Sequence, residues 1–146
     1  MEVNDDVYAF MQAQLGYSDE ELQLFKDNPR NEKILSKAPE LMNKTIVAEV
    51  VASHGCNSQH KVGDKLYFDG GGNLLTKLAP KRVCIYALKN FATLIYGVNE
   101  LIYAGADPNK VMFHRVGCHD VGVRCGSWGN IVLEIKVEER EGASGQ

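Results

Sequence analysis

Between Pro80 and Ala104 the residues Cys84, Ala87, Leu88, Phe91, Ile95, Val98 and Ile102 return every three or four positions, the spacing of a single helix face. No other stretch limits the fold as tightly. Ile85, Leu94 and Leu101 add apolar surface on other sides, so the pattern predicts a helix enclosed by the rest of the chain. Pro80 suits its first turn, and Ala104-Gly-Ala-Asp-Pro108 ends it. Lys89, Asn90, Asn99 and Glu100 interrupt the run, which excludes a membrane span. A chain of 146 residues is long enough to build one main core around such a helix.

The flanking segments read differently. Val7, Phe10, Met11 and Leu15 form one face of a helix that Asn4 caps and Gly16 ends. Ser18 and Glu21 make a capping box for a second helix, stopped at Asn28-Pro29, and Pro29 opens a short third helix that Ala38-Pro39 terminates. From Lys44 the pattern changes. Thr45–Ala52 is rich in β-branched residues and reads as a strand, Lys65–Asp69 as a second, and the polar, glycine-punctuated segment 53–64 as the loop between them. Asp69-Gly-Gly-Gly-Asn73 reads as a hairpin turn; the Lys-Ser/Thr and following helix of a phosphate-binding loop are missing. Val111–Val116, Val121–Cys125 and Asn130–Val137 alternate as three further strands. The expected architecture is α+β: an N-terminal helical arm over residues 1–43 packed on the same domain, a core domain over 44–140 with an antiparallel sheet of about five strands and an inserted central helical layer, and a fraying tail over 141–146.

Charge narrows the partners. The net charge of −3 lacks the clustered positive excess of a nucleic-acid binder. Seven acids against Lys26 lie within residues 1–28, leaving the remainder mildly basic and tolerant of a small anion. The start Met-Glu-Val-Asn-Asp-Asp has neither a basic flank nor an apolar signal core, so the expected compartment is the cytoplasm, with reduced thiols. The expected partners are a small-molecule ligand and a second copy in a homodimer, not nucleic acid or a membrane.

Seven of the eight cysteines and histidines fall in two windows: His54, Cys56 and His60 in the first, and His114, Cys118, His119 and Cys125 in the second. Thiolates and imidazoles gathered on loops beside strands suggest ligation of zinc or another divalent transition metal. Cys56 and His60, spaced C-x3-H, would join Cys118 and Cys125, or His119 in place of Cys125. The same C-x3-H spacing also suits a thiolate activated by imidazole. His54 and His114 read more simply as surface or strand residues. Cys84 lies on the apolar stripe, where an inert buried thiol is the simpler assignment. Asp64 reads first as a turn residue and otherwise as a carboxylate orienting His60. Arg124 is a candidate for holding a carboxylate or enolate, against a plain surface role, and Trp128 for walling a pocket. No G-x-S-x-G, H-E-x-x-H or G-x-G-x-x-G occurs.

The segment Gly55-Cys56 through His60-Lys-Val-Gly-Asp64, preceded by its strand, resembles a family of small uncharacterised bacterial and archaeal proteins with a G-x-C…H-K-V-G-D signature. That family also has a cysteine in C-x-x-A-L context and a later cysteine in the closing strands. The resemblance spans about Lys44 to Arg140 and implies that Cys56, His60, Gly63, Asp64, Cys84 and Cys118 match its pattern. His119 and Cys125 fall in a narrower group. This strengthens Cys84 as a site residue and weakens a site that needs Cys125, but it implies no particular reaction.

Two functional expectations follow. In the first, Cys56, His60 and Cys118 hold a zinc-like ion with one open position, and the protein is a hydrolase, lyase or isomerase for a small polar, possibly anionic, substrate. Asp64 or His119 would move protons, and Arg124, Trp128 and Cys84 would contact the substrate. In the second, Cys125 closes a four-ligand structural site in a non-catalytic module that binds a small molecule or a partner. A metal-free binding protein and a thiol enzyme using Cys56 with His60 complete the alternatives.

Overall fold

The computed structural model describes residues 2–140; the tail at 141–146 lies outside the described residues. The chain divides into two compact units, the first ending at Glu40 and the second beginning at Leu41. In the first unit, α1 (Asp5–Leu15) begins where the Asn4 side chain accepts a hydrogen bond from Val7 N–H and ends at Gly16, whose φ of 71° lies in the left-handed region. The Ser18–Glu21 capping box opens α2 (Asp19–Lys26) with both reciprocal bonds in place. Phe25 meets Tyr8 edge-on at 6.5 Å, and the Lys26 ammonium sits 4.6 Å from the Tyr8 ring. Helix α3 runs from Pro29 to Met42 and carries Pro39 inside it, longer than the short helix expected to stop at Ala38-Pro39.

The second unit is α+β. Strands β1 (Lys44–His54), β2 (Lys65–Asp69), β3 (Arg115–Gly117) and β4 (Asn130–Glu139) form one antiparallel sheet in the order β2-β1-β4-β3. Alternation places Leu66 and Phe68 of β2 and Ile131, Leu133, Ile135 and Val137 of β4 in the core with Ile46, Ala48 and Val50 of β1, and Val47 between them is buried as well. The helix α4 (Ile85–Tyr103) follows β2 in the chain and contributes Ala87, Phe91, Leu94, Val98 and Ile102 to the same core cluster. Phe91 stacks on Phe68 with ring centroids 5.6 Å apart.

Three expectations are corrected. The sheet has four strands rather than five: residues 123–125 form a 3-10 turn because the Asp120 carboxylate accepts the N–H groups of Gly122 and Trp128, and this local turn overrides the apolar alternation. Strand β3 keeps only Arg115 and Val116 of the strand expected over Val111–Val116, and adds Gly117. The Asn109 side chain bonds both backbone groups of Val137, so a side-chain amide occupies the ladder position that a longer β3 would fill. Helix α4 begins at Ile85, five residues after Pro80, because Cys84 is extended (φ −78°, ψ 123°) and acts as the N-cap.

No helix among the described residues is long and apolar enough to cross a membrane. Because Phe91 is completely buried, Phe91→Ala is expected to lower the unfolding free energy by about 4 kcal/mol in urea denaturation. Tyr96, on the exposed side of α4, should cost no more than about 0.5 kcal/mol when replaced by alanine.

Candidate functional site

The β1–β4 register pairs His54 with Asn130, so the loop leaving β1 and the loop leading into β4 emerge side by side. The two backbones touch there. A Cβ on Gly129 would lie 2.1 Å from the Gly55 carbonyl oxygen, and one on Gly55 would lie 2.9 Å from that of Trp128. Gly55 also has a φ of 66°, so both positions exclude a side chain for physical reasons.

Each loop is fixed by its own polar groups. In the first, Ser53 Oγ donates to the His60 carbonyl at 2.7 Å, Val50 exchanges backbone bonds with Gly63 and Asp64, and the Asp64 carboxylate accepts Lys61 N–H at 2.8 Å. In the second, Cys118 Sγ accepts Ile131 N–H at 3.4 Å and donates to the Asp120 carbonyl. The Gly122 N–H chiefly holds the Asp120 carboxyl below the usual carboxylate range; slight desolvation opposes it, and Ser127, Gly129 and Trp128 assist. His119 stacks on Tyr86 in the first turn of α4, with centroids 5.9 Å apart.

These loops and the start of α4 enclose an open cleft of about 620 Å³ with mostly apolar walls. Cys56, Ser58, Cys84, Cys118, His119 and Trp128 all line it. Cys84 has the most unusual setting. Partial burial pushes its thiol up, but the Ser58 side chain and the backbone N–H groups of Ala87 and Tyr86 outweigh that effect and hold it below the ordinary cysteine value. Cys84 packs partly against the core, as its place on the helix stripe implied, and it is also the N-cap residue of α4 and lines the cleft; its side chain makes no capping hydrogen bond.

The remaining candidates separate. His60 is buried, and its Nε2 accepts Cys84 N–H at 3.3 Å, which engages the lone pair a metal would need. Cys125 and Arg124 are exposed on the 3-10 turn and do not line the cleft. Asp64 serves its own turn. Among the described residues no group of three or more His, Cys, Asp or Glu side chains is arranged to hold a metal ion. His54 is exposed at the end of β1, and His114, just before β3, is exposed and lies 3.8 Å from Glu134 of β4. The structure thus brings Cys56, Cys84, Cys118, His119 and Trp128 together, and leaves Asp64, Cys125 and Arg124 out. Ser58 and Tyr86 were not legible as site residues, because neither belongs to a spacing pattern; only adjacency to Cys56 and Cys84 marked them. No family model, no curated protein and no solved structure matches the chain.

Gly129→Ala is expected to destabilise the protein by at least about 2 kcal/mol, since the added methyl meets backbone that must shift. Gly126→Ala, with open space around it and only a positive φ to accommodate, should cost about 1 kcal/mol. Denaturant titration of both variants checks the contrast. His60→Leu strands the Cys84 N–H and should cost about 1–3 kcal/mol more than His60→Gln, which keeps an acceptor there.

Proposed function

We propose that the protein is a small-molecule enzyme that uses the Cys84 thiolate as its nucleophile, with acyl transfer to water as the reaction the cleft serves best. The observation that carries this reading is the setting of Cys84: a thiol at the N-terminus of a 19-residue helix, held below its ordinary titration range, on the wall of a cleft large enough for a small molecule. Thiolate, not thiol, is the attacking species, so this placement raises the reactive fraction near neutral pH.

In the proposed reaction, Cys84 Sγ bonds to the acyl carbon of an ester or thioester. The bond from that carbon to the leaving oxygen or sulfur breaks, and the leaving group takes a proton from solvent or from His119. Water then adds to the acyl carbon, its proton passing to His119, and the carbon–sulfur bond breaks to regenerate the thiolate. The net change is acyl compound plus water to carboxylic acid plus alcohol or thiol. Ser58 stabilises the thiolate, and Tyr86 and Trp128 wall the substrate. Cys118 is a structural thiol, since its sulfur already bonds Ile131 and Asp120.

The zinc-dependent hydrolase or lyase is the second reading, favoured by one observation: Cys56 and Cys118 line the same cleft. It requires His60 to give up its bond to Cys84, and no step is assigned to the metal. The non-catalytic binding module keeps the cleft and lacks the turnover.

Alkylation by iodoacetamide, resolved by peptide mass spectrometry across pH, tests the reading. Cys84 is expected to reach half its maximal rate at a pH below that of free cysteine, and Ser58→Ala should move that midpoint upward. The sign follows from a lowered thiol: the thiolate persists as pH falls until the folded-state value is crossed. A Cys84 midpoint at or above that of free cysteine overturns the nucleophile. Stoichiometric zinc that protects Cys56 and Cys118 from alkylation favours the second reading.

A further inference from the structure

Trp128 also lines a second hollow of about 440 Å³ with a different character. It shares Cys56, Asn57 and Trp128 with the cleft, so the two form adjoining compartments along one rim. Ser53, Gln59, His60 and Lys61 complete its polar lining, and no carboxylate is among the lining residues. Lys61 is exposed and forms no ion pair among the described residues. Gln59 holds a φ of 63°, the one non-glycine residue described in the left-handed region, in the turn closed by its N–H to the Cys56 carbonyl. Backbone held there in a non-glycine residue stores strain, and such strain concentrates at ligand-binding turns.

The cleft has the opposite charge pattern. No lysine or arginine lines it, and its one lining carboxylate, Asp120, accepts backbone N–H groups. An anionic group placed in the cleft would have no lysine or arginine to meet, whereas in the hollow it would meet Lys61, with the Asp64 carboxylate outside the lining and engaged by the Lys61 backbone N–H. The walls of the cleft include the stacked Tyr86–His119 pair and the indole of Trp128, all suited to a flat apolar group.

Building on the Cys84 reading, we infer that the ligand is bipartite: an uncharged, flat acyl group lies in the cleft beside Cys84, and a short tail crosses the Cys56–Trp128 rim to place one anionic group in the Lys61 hollow. The carboxylate or phosphate character of that group is read by charge alone. The anion-holding residue is therefore Lys61, in place of Arg124.

The test is equilibrium binding to the full chain, which needs no turnover. The probes are N-benzoyl amino acids with one to three methylenes between amide and carboxylate, each compared with its own uncharged carboxamide. At low salt at least one carboxylate should bind about five-fold more tightly than its carboxamide, as expected for one exposed ion pair. The ratio should shrink as salt is added and fall toward one in Lys61→Gln. Amide resonances of Tyr86 and Lys61 should both move on binding. Equal affinities, a preference that survives Lys61→Gln, or no binding of any probe overturns the inference. The two proposals fail separately: ordinary titration of Cys84 alongside charge-selective binding removes the nucleophile and upholds the two compartments, and a low-titrating Cys84 without charge selectivity does the reverse.

Discussion

The antiparallel pairing of β1 with β4 is the constraint on which the site depends. These are the two longest strands, and they lie at the centre of the sheet with ladder bonds from Lys44–Glu139 to His54–Asn130. Their buried faces fix the register, because a slip of one residue would turn Ile46, Ala48, Leu133 and Ile135 away from α4. Once register is fixed, two loops more than sixty positions apart in sequence must leave the sheet at the same corner. The contact of Gly55 with Gly129 then closes the corner to the width of two backbones.

The cysteines show how one side-chain type acquires different roles from its surroundings. Cys118 has its sulfur bonded on both sides within the turn that leads to β4, so it holds shape. Cys56 packs against the hydrophobic core and forms part of the wall. Cys125 sits exposed on its turn, away from the cleft. Cys84 alone stands at the N-cap of a long helix, where the Ser58 side chain and the backbone of Ala87 and Tyr86 outweigh the upward push of burial and hold its thiol below the ordinary value. His60 contributes at one remove: by accepting the Cys84 N–H it holds the residue extended, which fixes the point at which α4 begins and the direction in which the thiol leaves the chain.

Charge sorts the two compartments in the same way that hydrogen bonds sort the thiols. Asp120 is a half-buried acid made into a structural group by backbone amides, so the cleft keeps mostly apolar walls and holds no lysine or arginine. Lys61 donates its backbone N–H to Asp64 while its side chain remains available over the hollow. Backbone thus anchors the loop and side chain faces the ligand, a division that lets a short turn be both rigid and selective.

What could be read in advance was local or periodic. The stripe from Ala87 to Ile102, the Asn4 cap, the Ser18–Glu21 box and the strands β1, β2 and β4 follow from side-chain spacing and from groups within one turn of each other. The strands expected at 111–116 and 121–125 were not legible, because Asn109 and Asp120 replace ladder bonds with side-chain bonds whose partners are decided by the fold. That Cys56 and Cys118 line one cleft was suggested by clustering, but the engagement of the His60 ring nitrogen was not, since its partner lies 24 residues away at Cys84. The sequence by itself determined the helical and β periodicities, the caps and the gathering of thiols and imidazoles into two loops. Only the tertiary structure decided which of those groups share a cleft, because register and backbone contact between distant segments set directions that spacing along a chain does not encode.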